Sequence, residues 1–456
     1  MRIHFIAIGG SAMHNLAITL HKKGYFVTGS DDEIFEPSKT RLLKYDLLPK
    51  TFGWNKENIS SDIDAVILGM HAREDNPELI EARKIGLKIY SYPEYLYEQT
   101  KDKKRVVIGG SHGKTTITSM VMHVLKYFNM NFDYMVGAQL KGFETMVKLS
   151  DDAPIAIFEG DEYLSSPIDK RPKFHLYKPN IALITGIAWD HINVFPTFEE
   201  YVKQFDIFID KIEDNGTLIY YEGDDVLKEI VDKKSAQINK VPYNAAKAII
   251  IENKTYLINE NKKIPLLVFG NHNLQNISGA KLVCNKLGIS NDDFYEAISK
   301  FEGAAKRLQM LAGNNNKKVF FDFAHSPSKL KATVDAVKNQ YPKKKLIACI
   351  ELHTFSSLNR NFLCQYKSTI DNADIPIVFF NPETLKHKKL ELLSEDFVKE
   401  SFQNMALKIF TDKDVLKDFL LNINENNIIL LLMSSGNYAG LNLIELSKQI
   451  INLSPM

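Results

Sequence analysis

The chain has 456 residues, of which 45% are hydrophobic and 11% aromatic, a composition typical of globular proteins that excludes disorder as the main state. At roughly 100–200 residues per domain, this length predicts two to four domains and excludes a single small binding module. The 57 Lys and Arg residues balance 56 Asp and Glu residues, which excludes the global positive field that would hold nucleic acid or an anionic membrane, so we expect neither partner.

The first predicted elements form the beginning of an α/β unit, in which a strand is followed by a turn of small residues and a helix. An apolar run at 3–8 leads into Gly9-Gly10-Ser11, and further strand-like runs follow at 25–28, 65–68 and 87–90. We predict that this first domain ends near residue 98. No window reaches the ~18 uninterrupted apolar residues of a membrane-spanning helix, so the sequence predicts a cytoplasmic protein.

Two later runs repeat this beginning and predict two more domains. The strand 106–108 leads into a second glycine turn, and strands at 155–158 and 181–184 follow it. The third beginning is the strand 319–323 after a polar loop, and strands follow it at 346–350, 377–380 and 428–432. The sequence therefore predicts an α/β fold with domains at residues 1–98, 99–312 and 313–456.

The second glycine turn, Gly109-Gly110-Ser111-His112-Gly113-Lys114-Thr115, has the composition of a phosphate-binding loop. Glycines let backbone amides face phosphate oxygens, the helix N-terminus adds positive potential, Lys114 meets the terminal phosphates and the Thr115 hydroxyl is a ligand for Mg²⁺. The pattern GxxxxGK[ST] would need glycine at 108, where this chain has Ile108, so the loop is one residue shorter. A purely structural glycine turn is the alternative, which the strand before it and the helix after it disfavour.

Acidic and imidazole side chains follow two strands of the same predicted domain. The run Phe158-Glu159-Gly160-Asp161-Glu162-Tyr163 ends one strand, and Asp190-His191 follows another. Because α/β sheets place ligands beyond the carboxyl ends of their strands and Mg²⁺ prefers oxygen ligands, we expect a nucleotide-bound metal here. A solvated acidic loop and a structural histidine are the alternatives.

The first glycine turn is a weaker signal, because Ile8-Gly9-Gly10-Ser11-Ala12-Met13 lacks a full GxGxxG. Asp31 and Asp32 lie about 20 residues further on, where a dinucleotide-binding unit carries its ribose-binding acid. This turn either binds some nucleotide phosphate or simply packs a strand against a helix.

Three further polar clusters need a common partner to make sense. They lie at residues 269–276, 305–309 and 321–327. Taken singly, each is a helix cap, a surface charge or a turn. Since Asn reads an adenine edge, Arg braces a γ-phosphate and Asp binds ribose hydroxyls, a nucleotide held by the second and third domains would use all three.

Taken together and in this order, the motifs resemble those of the Mur ligase family over essentially the whole chain. The resemblance rests on the loop 110–116, the segment Gly270-x-His272-Asn273-x-x-Asn276, Arg307, and Asp322-Phe323-Ala324-His325-x-Pro327. It implies a three-domain architecture with a Rossmann-like N-terminal domain for UDP-N-acetylmuramate, a central P-loop ATPase domain and a Rossmann-like C-terminal domain for the amino substrate. It also implies a monomer or weak homodimer.

Within the family, the chain is similar to the branch that acts on UDP-N-acetylmuramate itself, because of Ile8-Gly9-Gly10-Ser11-x-Met13 and Asp75-Asn76-Pro77-Glu78. This branch holds a ligase that adds L-alanine and a recycling ligase that attaches the tripeptide L-alanyl-γ-D-glutamyl-meso-diaminopimelate. The tripeptide activity is favoured by four segments, at 159–163, 169–175, 189–195 and 433–437. Addition of L-alanine in de novo peptidoglycan synthesis is the alternative.

The resemblance further implies ATP and Mg²⁺ as cofactors and an acyl-phosphate intermediate. The implied catalytic residues are Lys114, Glu159, His191 and Arg307, and the implied metal ligands are Thr115, Glu159 and His191. ATP is expected at Gly110, Ser111, His112, Gly113, Lys114, Thr115, Thr116, His272, Asn273, Asn276, Arg307 and Asp322. The substrates are expected at Gly9, Gly10, Ser11, Met13, Asp31, His71, Asn76, His353 and Thr354.

The chain departs from several relatives that carry a carbamylated lysine downstream of the metal histidine, because the corresponding positions are Phe205 and Asp206. Lys203 is out of register, so no carbamate is predicted. Two hypotheses from other classes remain open. A nicotinamide-dependent oxidoreductase would leave Lys114 and Thr115 without a role, and a non-catalytic nucleotide-binding regulator would have no use for metal ligands on two strand ends.

Overall fold

A computed structural model describes residues 1–189, 194–234, 237–423 and 425–452. The chain forms two compact units. The first comprises Met1–Asn244 with Ser278–Ala297, and the second comprises Ala245–Ile277 with Ile298–Met456. Within the described ranges, every helix is too short or too polar to traverse a lipid bilayer.

Strands and helices alternate along most of the described chain. The strands are β1 (Arg2–Ile6), β2 (Phe26–Ser30), β3 (Ala65–Leu68), β4 (Ile89–Ser91), β5 (Lys104–Gly109), β6 (Asp133–Met135), β7 (Val147–Lys148), β8 (Ile155–Glu159), β9 (Ile181–Ile184), β10 (Thr217–Tyr221), β11 (Asn239–Tyr243), β12 (Ala248–Ile251), β13 (Lys254–Asn259), β14 (Lys262–Leu266), β15 (Gln309–Gly313), β16 (Lys317–Asp322), β17 (Lys345–Glu351), β18 (Ile375–Phe379), β19 (Lys408–Phe410) and β20 (Ile428–Met433). The helices are α1 (Ser11–Lys22), α2 (Ser38–Lys44), α3 (Pro77–Ile85), α4 (Tyr92–Thr100), α5 (Lys114–Tyr127), α6 (Phe198–Ile209), α7 (Asp225–Lys233), α8 (Asn271–Lys286), α9 (Asn291–Ile298), α10 (Pro327–Gln340), α11 (Arg360–Leu363), α12 (Pro382–His387), α13 (Glu395–Phe402), α14 (Lys413–Leu421) and α15 (Leu443–Asn452).

The first unit holds two sheets. A four-stranded parallel sheet has the order β2-β1-β3-β4, and a seven-stranded sheet has the order β11-β10-β9-β5-β8-β6-β7, in which only β7 runs antiparallel. In each sheet the strand before a glycine turn, β1 or β5, lies between two strands that follow it in the chain. Such a reversal of strand order opens a crevice at the carboxyl edge, where α/β proteins bind ligands.

Hydrogen bonds join the two sheets of the first unit. On α1, the Asn15 carboxamide accepts from the backbone N–H of Met146 at 3.0 Å, and the Thr19 hydroxyl donates to the carbonyl of Val147 at 2.7 Å. Arg105, near the start of β5, is 3% exposed and its Nη1 donates to the carbonyl of Thr100, at the end of α4, at 3.2 Å. These buried contacts fix the N-terminal sheet against the central one.

The second unit contains a three-stranded antiparallel sheet, β12-β13-β14, and a six-stranded sheet with the order β15-β16-β20-β17-β18-β19. In the larger sheet only β15 is antiparallel. Side chains of β17 alternate between two cores, because Leu346, Ala348 and Ile350 pack on one face and Ile347 and Cys349 on the other. A sheet covered on both faces reads as a continuous apolar run, which explains why its inner strands were predictable. The predicted α/β class is confirmed.

Candidate active site

The turn between β5 and α5 needs glycine at two points. Gly110 has φ +117°, and a Cβ there would lie 2.0 Å from Oγ1 of Thr185. Gly113 has φ +77° and immediately precedes the first residue of α5. Left-handed backbone of this kind is readily adopted only by glycine, and it brings the turn onto the N-terminus of a helix, where an anion is stabilised.

Lys114 is the first residue of α5 and its ammonium is held on two sides. Nζ donates to the carbonyl oxygen of Gly110 at 2.8 Å and to Oε2 of Glu162 at 2.5 Å. Burial alone would lower the pKa of Lys114, but the nearby carboxylates of Glu162 and Asp161 raise it above its usual value. The side chain therefore stays charged, as the neutralisation of a phosphoryl group requires.

Glu159 ends β8 and contacts the predicted metal-binding hydroxyl. Its Oε1 accepts from Oγ1 of Thr115 at 2.8 Å, and its Oε2 accepts from the backbone N–H of Gly137 at 2.7 Å. A Cβ at Gly137 would lie 2.9 Å from Oε1, so the carboxylate sits in a cradle that only glycine leaves open. Burial raises the pKa of Glu159, a cost that a bound cation would offset. A carboxylate beside a hydroxyl is an oxygen donor set that suits Mg²⁺.

Three other residues that were predicted to bind ATP, Ser111, His112 and Thr116, lie in or next to this turn. The Ser111 hydroxyl accepts from the backbone N–H of Ala188 at 2.8 Å, and the carbonyl of His112 accepts from Oγ1 of Thr185. Thr116 is buried in the first turn of α5. The third predicted metal ligand, His191, lies outside the described residues.

Two residues that sequence reasoning did not assign complete this site. Oε1 of Glu162 accepts from the hydroxyl of Tyr201 at 3.1 Å, and Tyr201 is in turn 2.9 Å from the hydroxyl of Ser111. Both Glu162 and Tyr201 are fully buried. The acidic run 159–163 was the available signal for Glu162, whereas Tyr201 on α6 has no local signal at all.

The predicted adenosine-binding residues all lie in the second unit. Asp322, at the end of β16, accepts from the backbone N–H groups of Leu308 at 2.6 Å and Ala324 at 2.7 Å. The guanidinium of Arg307 lies 4.8 Å from the centroid of the Phe323 ring. Asp322 therefore shapes the segment that carries Arg307, and burial raises the pKa of its carboxyl.

The start of α8 carries the three other members of this group. Burial lowers the pKa of His272, against the opposing charge of Asp322, so its imidazole is neutral. The carboxamide of Asn273 donates to the carbonyl of Phe269 at 2.8 Å, and Asn276 is buried. Within the second unit the charge of Asp322 therefore acts on His272, and the roles of these residues toward ATP stay predictions.

The two predicted amine-binding residues follow β17. Oγ1 of Thr354 donates to Oγ of Ser357 at 2.9 Å and accepts from its backbone N–H at 3.0 Å, which closes an ordinary turn. Nδ1 of His353 lies 3.8 Å from Oε1 of Glu351, a buried carboxylate whose Oε2 accepts from the backbone N–H of Tyr438 at 2.9 Å. Because β17 ends at Glu351, His353 lies at the carboxyl edge of the sheet, beside this carboxylate.

The first glycine turn is closed by a carboxylate. Oδ2 of Asp31 accepts from the backbone N–H of Gly9 at 2.7 Å, and Oδ1 accepts from the N–H of Asp32 at 3.0 Å. Burial raises the pKa of Asp31 to about 6. The ligand atoms of Asp31, Asp32 and His71 lie within 4.8 Å of one another. This part of the site combines a buried acid with a glycine loop.

The remaining residues of the predicted substrate site occupy helix starts. The side-chain oxygen of Asn76 caps α3, accepting from the N–H groups of Glu78 at 3.0 Å and Leu79 at 3.1 Å. Ser11 begins α1 after Gly10, and Met13 is buried on the same helix. These positions suit a ligand at the carboxyl edge of the first sheet, and their roles toward substrate stay predictions.

Comparison with known proteins gives two family matches. The model described as Mur ligase family, catalytic domain matches residues 2–104, and the Mur ligase middle domain matches residues 108–284. A UDP-N-acetylmuramate–L-alanine ligase of Caldicellulosiruptor bescii is 31% identical over 387 residues, which are 82% of each chain.

Two crystal structures share the fold. A murein peptide ligase from Psychrobacter arcticus covers 100% of both chains with a TM-score of 0.65 and 22% identity. A UDP-N-acetylmuramate-alanine ligase from Thermotoga maritima has a TM-score of 0.70 and 21% identity, and the match covers 99% of this chain and 98% of that one. At such identities the likeness establishes the architecture and leaves the amino substrate open.

Proposed function

Because the chain belongs to the Mur ligase family of ATP-dependent amide-bond-forming ligases, we propose that it joins UDP-N-acetylmuramate to the tripeptide L-alanyl-γ-D-glutamyl-meso-diaminopimelate in peptidoglycan recycling. The observation that carries the catalytic part of this proposal is the arrangement after β5. There the first two residues of α5 are Lys114, a largely buried lysine paired with Glu162, and Thr115, whose hydroxyl donates to the buried carboxylate of Glu159. Phosphoryl transfer needs both a cation and a metal site at this point.

The proposed reaction has two steps. An oxygen of the lactyl carboxylate attacks the γ-phosphorus of ATP, so that ADP leaves and an acyl phosphate forms. The amine then attacks the acyl carbon, and the tetrahedral intermediate collapses to the amide and inorganic phosphate while the amine loses a proton. No covalent bond to the enzyme is needed.

Each residue of the site has a separate proposed role in binding or neutralising ATP. Lys114 neutralises the phosphoryl group in transfer, and Arg307 braces the γ-phosphate. Thr115, Glu159 and His191 are the proposed ligands of Mg²⁺, which supplies further neutralisation of the phosphate oxygens when bound. Asp322 is assigned to the ribose, and Asn276, with His272 and Asn273, to adenine.

The other two substrates are assigned to the remaining sheets. Residues 1–98 are proposed to bind the UDP-sugar, 99–312 to bind ATP, and 313–456 to bind the amine. His353 and Thr354 are the proposed amine contacts. In this scheme the acid Asp31 organises the UDP-sugar turn through its bond to Gly9.

The choice of amine rests on sequence. The tripeptide is supported by the segments at 159–163, 169–175, 189–195 and 433–437, which are similar to those of the recycling ligase. L-alanine is the second candidate, because the curated relative from C. bescii is an L-alanine ligase at 31% identity. The fold does not separate the two, since the neighbours include both kinds of ligase.

The deciding experiment measures phosphate release from ATP with Mg²⁺ and UDP-N-acetylmuramate, with either L-alanine or the tripeptide, and confirms the product by mass. Omission of UDP-N-acetylmuramate is the control for idle ATP hydrolysis. We expect release and ligated product with the tripeptide. Product with L-alanine but not with the tripeptide would identify the L-alanine-adding activity of de novo synthesis instead. No product with either amine would refute both candidate activities.

A further inference from the structure

The ammonium of Lys114 is fixed by a carboxylate that the proposed mechanism does not yet use. Glu162 lies in the loop after β8, its side chain is fully buried, and its Oε2 is 2.5 Å from Nζ of Lys114. A lysine ammonium has three N–H groups. Within the described residues, one donates to Glu162 and one to the carbonyl of Gly110 at 2.8 Å. The direction of the third is therefore determined.

Glu162 is itself held from its other oxygen. The hydroxyl of Tyr201 donates to Oε1 at 3.1 Å, and this hydroxyl lies 2.9 Å from that of Ser111. The Tyr201 ring is fully buried, with Phe205 packed at 5.2 Å between ring centroids. The carboxylate is thus held by a tyrosine of α6 whose hydroxyl also contacts Ser111 of the glycine turn, so its position does not depend on Lys114 alone.

We propose that Glu162 is a positioning residue that remains bonded to Lys114 during turnover and aims its third N–H at the transferred phosphoryl group, while Tyr201 acts by holding Glu162. The inference rests on the proposed role of Lys114 in phosphoryl transfer. Two simpler roles compete with it. Glu162 would act only as a counter-charge for a buried lysine, or it would be a further ligand of Mg²⁺.

Substitutions at Glu162 separate position from charge. Glu162→Gln keeps the length and an acceptor oxygen but removes the charge, whereas Glu162→Asp keeps the charge but is one methylene too short to reach Lys114. If position matters, the order of kcat is Glu, then Gln, then Asp and Ala together. We expect a loss of about 10²-fold for Ala and Asp, the size of effect that a misplacement near 1 Å causes, and a loss of about tenfold or less for Gln.

A greater kcat for Asp than for Gln would overturn the proposal in favour of a counter-charge. Recovery of the Ala variant by raised Mg²⁺ would overturn it in favour of a metal ligand. The KM for UDP-N-acetylmuramate should change less than about twofold, because that substrate is assigned to another sheet. The matched control is Asp133→Asn, which removes the charge of a buried carboxylate that is paired with another lysine, Lys103, at 2.6 Å; it should retain kcat within about threefold.

Tyr201→Phe provides a test that does not disturb a buried charge. It retains the ring and should lower kcat by about three- to tenfold, the equivalent of one hydrogen bond. Combined with Glu162→Ala it should cause no further loss, because Tyr201 acts through Glu162. The proposal would be overturned if the effects of the two substitutions on kcat multiplied in the double variant. A wild-type kcat for Tyr201→Phe would overturn it even if the Glu162 variants fail to fold. A wild-type protein silent with both amines would instead refute the proposed function.

Discussion

The two glycine turns of the first unit begin alike and are completed differently. Each follows a strand at the reversal of its sheet, β1 or β5, and each leads into a helix, α1 or α5. In the first turn the nearby acid, Asp31, accepts from a backbone N–H of the turn itself. In the second turn the acids accept from side chains, Glu162 from Lys114 and Glu159 from Thr115.

The difference shows that a glycine turn determines the path of the backbone, whereas the side chains around it determine its chemistry. In the second turn, carboxylates hold the Lys114 ammonium and the Thr115 hydroxyl in place, and these are the two groups that we propose to act on the transferred phosphoryl group. In the first turn, the carboxylate fixes the backbone, and burial raises the pKa of that acid to about 6. A turn built in this way is suited to holding a ligand without reacting with it. Four substitutions test this contrast.

The largest effect is expected at the lysine of the second turn. Lys114→Ala should lower kcat by about 10³-fold or more, because it removes the charge that offsets the transferred phosphoryl group. Binding of UDP-N-acetylmuramate, measured by calorimetry, should be nearly unchanged, since the first turn is intact. The control is Lys103→Ala, which also unpairs a buried carboxylate, that of Asp133, but lies outside the turn.

The assignment of Lys114 would be wrong if the variant kept more than about a tenth of its kcat, a loss below roughly 1.4 kcal/mol of transition-state stabilisation. The free energy of unfolding needs to be measured beside kcat, because the substitution leaves Glu162 buried without its cation, and a broken buried pair destabilises a protein by about 3–5 kcal/mol. A fall in kcat that only follows unfolding would not support the assignment.

The next effect concerns Glu159 and Thr115, the proposed metal-binding pair of the second turn. Glu159→Gln should lower kcat by about 10²-fold at low Mg²⁺, because an amide is a poorer ligand than a carboxylate for a hard cation. Raised Mg²⁺ should recover part of the loss. The test is kcat as a function of Mg²⁺ concentration for wild type and variant. An unchanged Mg²⁺ dependence would remove Glu159 from the metal site.

The sequence predicted both turns, the inner strands of the six-stranded sheet and the three adjacent strands β9, β5 and β8 of the seven-stranded sheet for a physical reason. Strands such as β9 and β20 are buried on both faces and read as unbroken apolar runs. Two edge strands of the first sheet, β2 and β4, were also predicted, whereas β6, β7, β10, β11, β15, β19 and the whole sheet β12-β13-β14 were not. The strand β11, for example, mixes polar and apolar residues with a proline in its sequence Asn239–Tyr243.

The site was predictable only where its residues are neighbours in the sequence. Lys114 and Thr115 follow directly from the glycine turn, but their partners come from other strands and helices. Tyr201 is 39 residues from the Glu162 that it holds, and no local pattern links the two. Likewise, Asp31 was predicted to bind substrate, and its bond to Gly9 emerges only once β1 and β2 are paired.

A smaller effect distinguishes the backbone of the two turns. Gly110→Ala should lower the free energy of unfolding by about 2–4 kcal/mol, because it adds a strained positive φ and a Cβ 2.0 Å from Oγ1 of Thr185. Gly10→Ala is the matched control in the first turn. Its φ is −56° and its Cβ would lie 3.3 Å from Met13, so we expect a change within about 0.5 kcal/mol. Urea denaturation measures the free energy of unfolding of both variants. Equal losses of this free energy would contradict the proposed difference between the backbones of the two turns.

The smallest effect is a pH dependence at the acid of the first turn. Burial raises the pKa of Asp31 from 3.8 to about 6, against the opposing bond from Gly9, so the folded protein disfavours the ionised form. The loss of folding free energy from ionising Asp31 is absent below the pKa that Asp31 has in the unfolded chain, and it is fully present above about pH 6. Asp31→Asn keeps an acceptor for Gly9 but does not titrate. The melting temperature of the variant minus that of wild type should therefore increase by a few degrees as pH rises from 4 to 7.

The control for this titration is an acid with the opposite shift. Hydrogen bonding from Ser60, and the charge of Arg2, lower the pKa of the exposed Asp62, so its ionised form favours folding. Relative to wild type, Asp62→Asn should lose stability as pH rises through the unfolded pKa, whereas Asp31→Asn should gain it. If both variants change in the same direction, the stability of the first turn does not depend on the burial of its acid. Its carboxylate would then be as solvated as one on the surface, and the contrast with the buried acids of the second turn would fail.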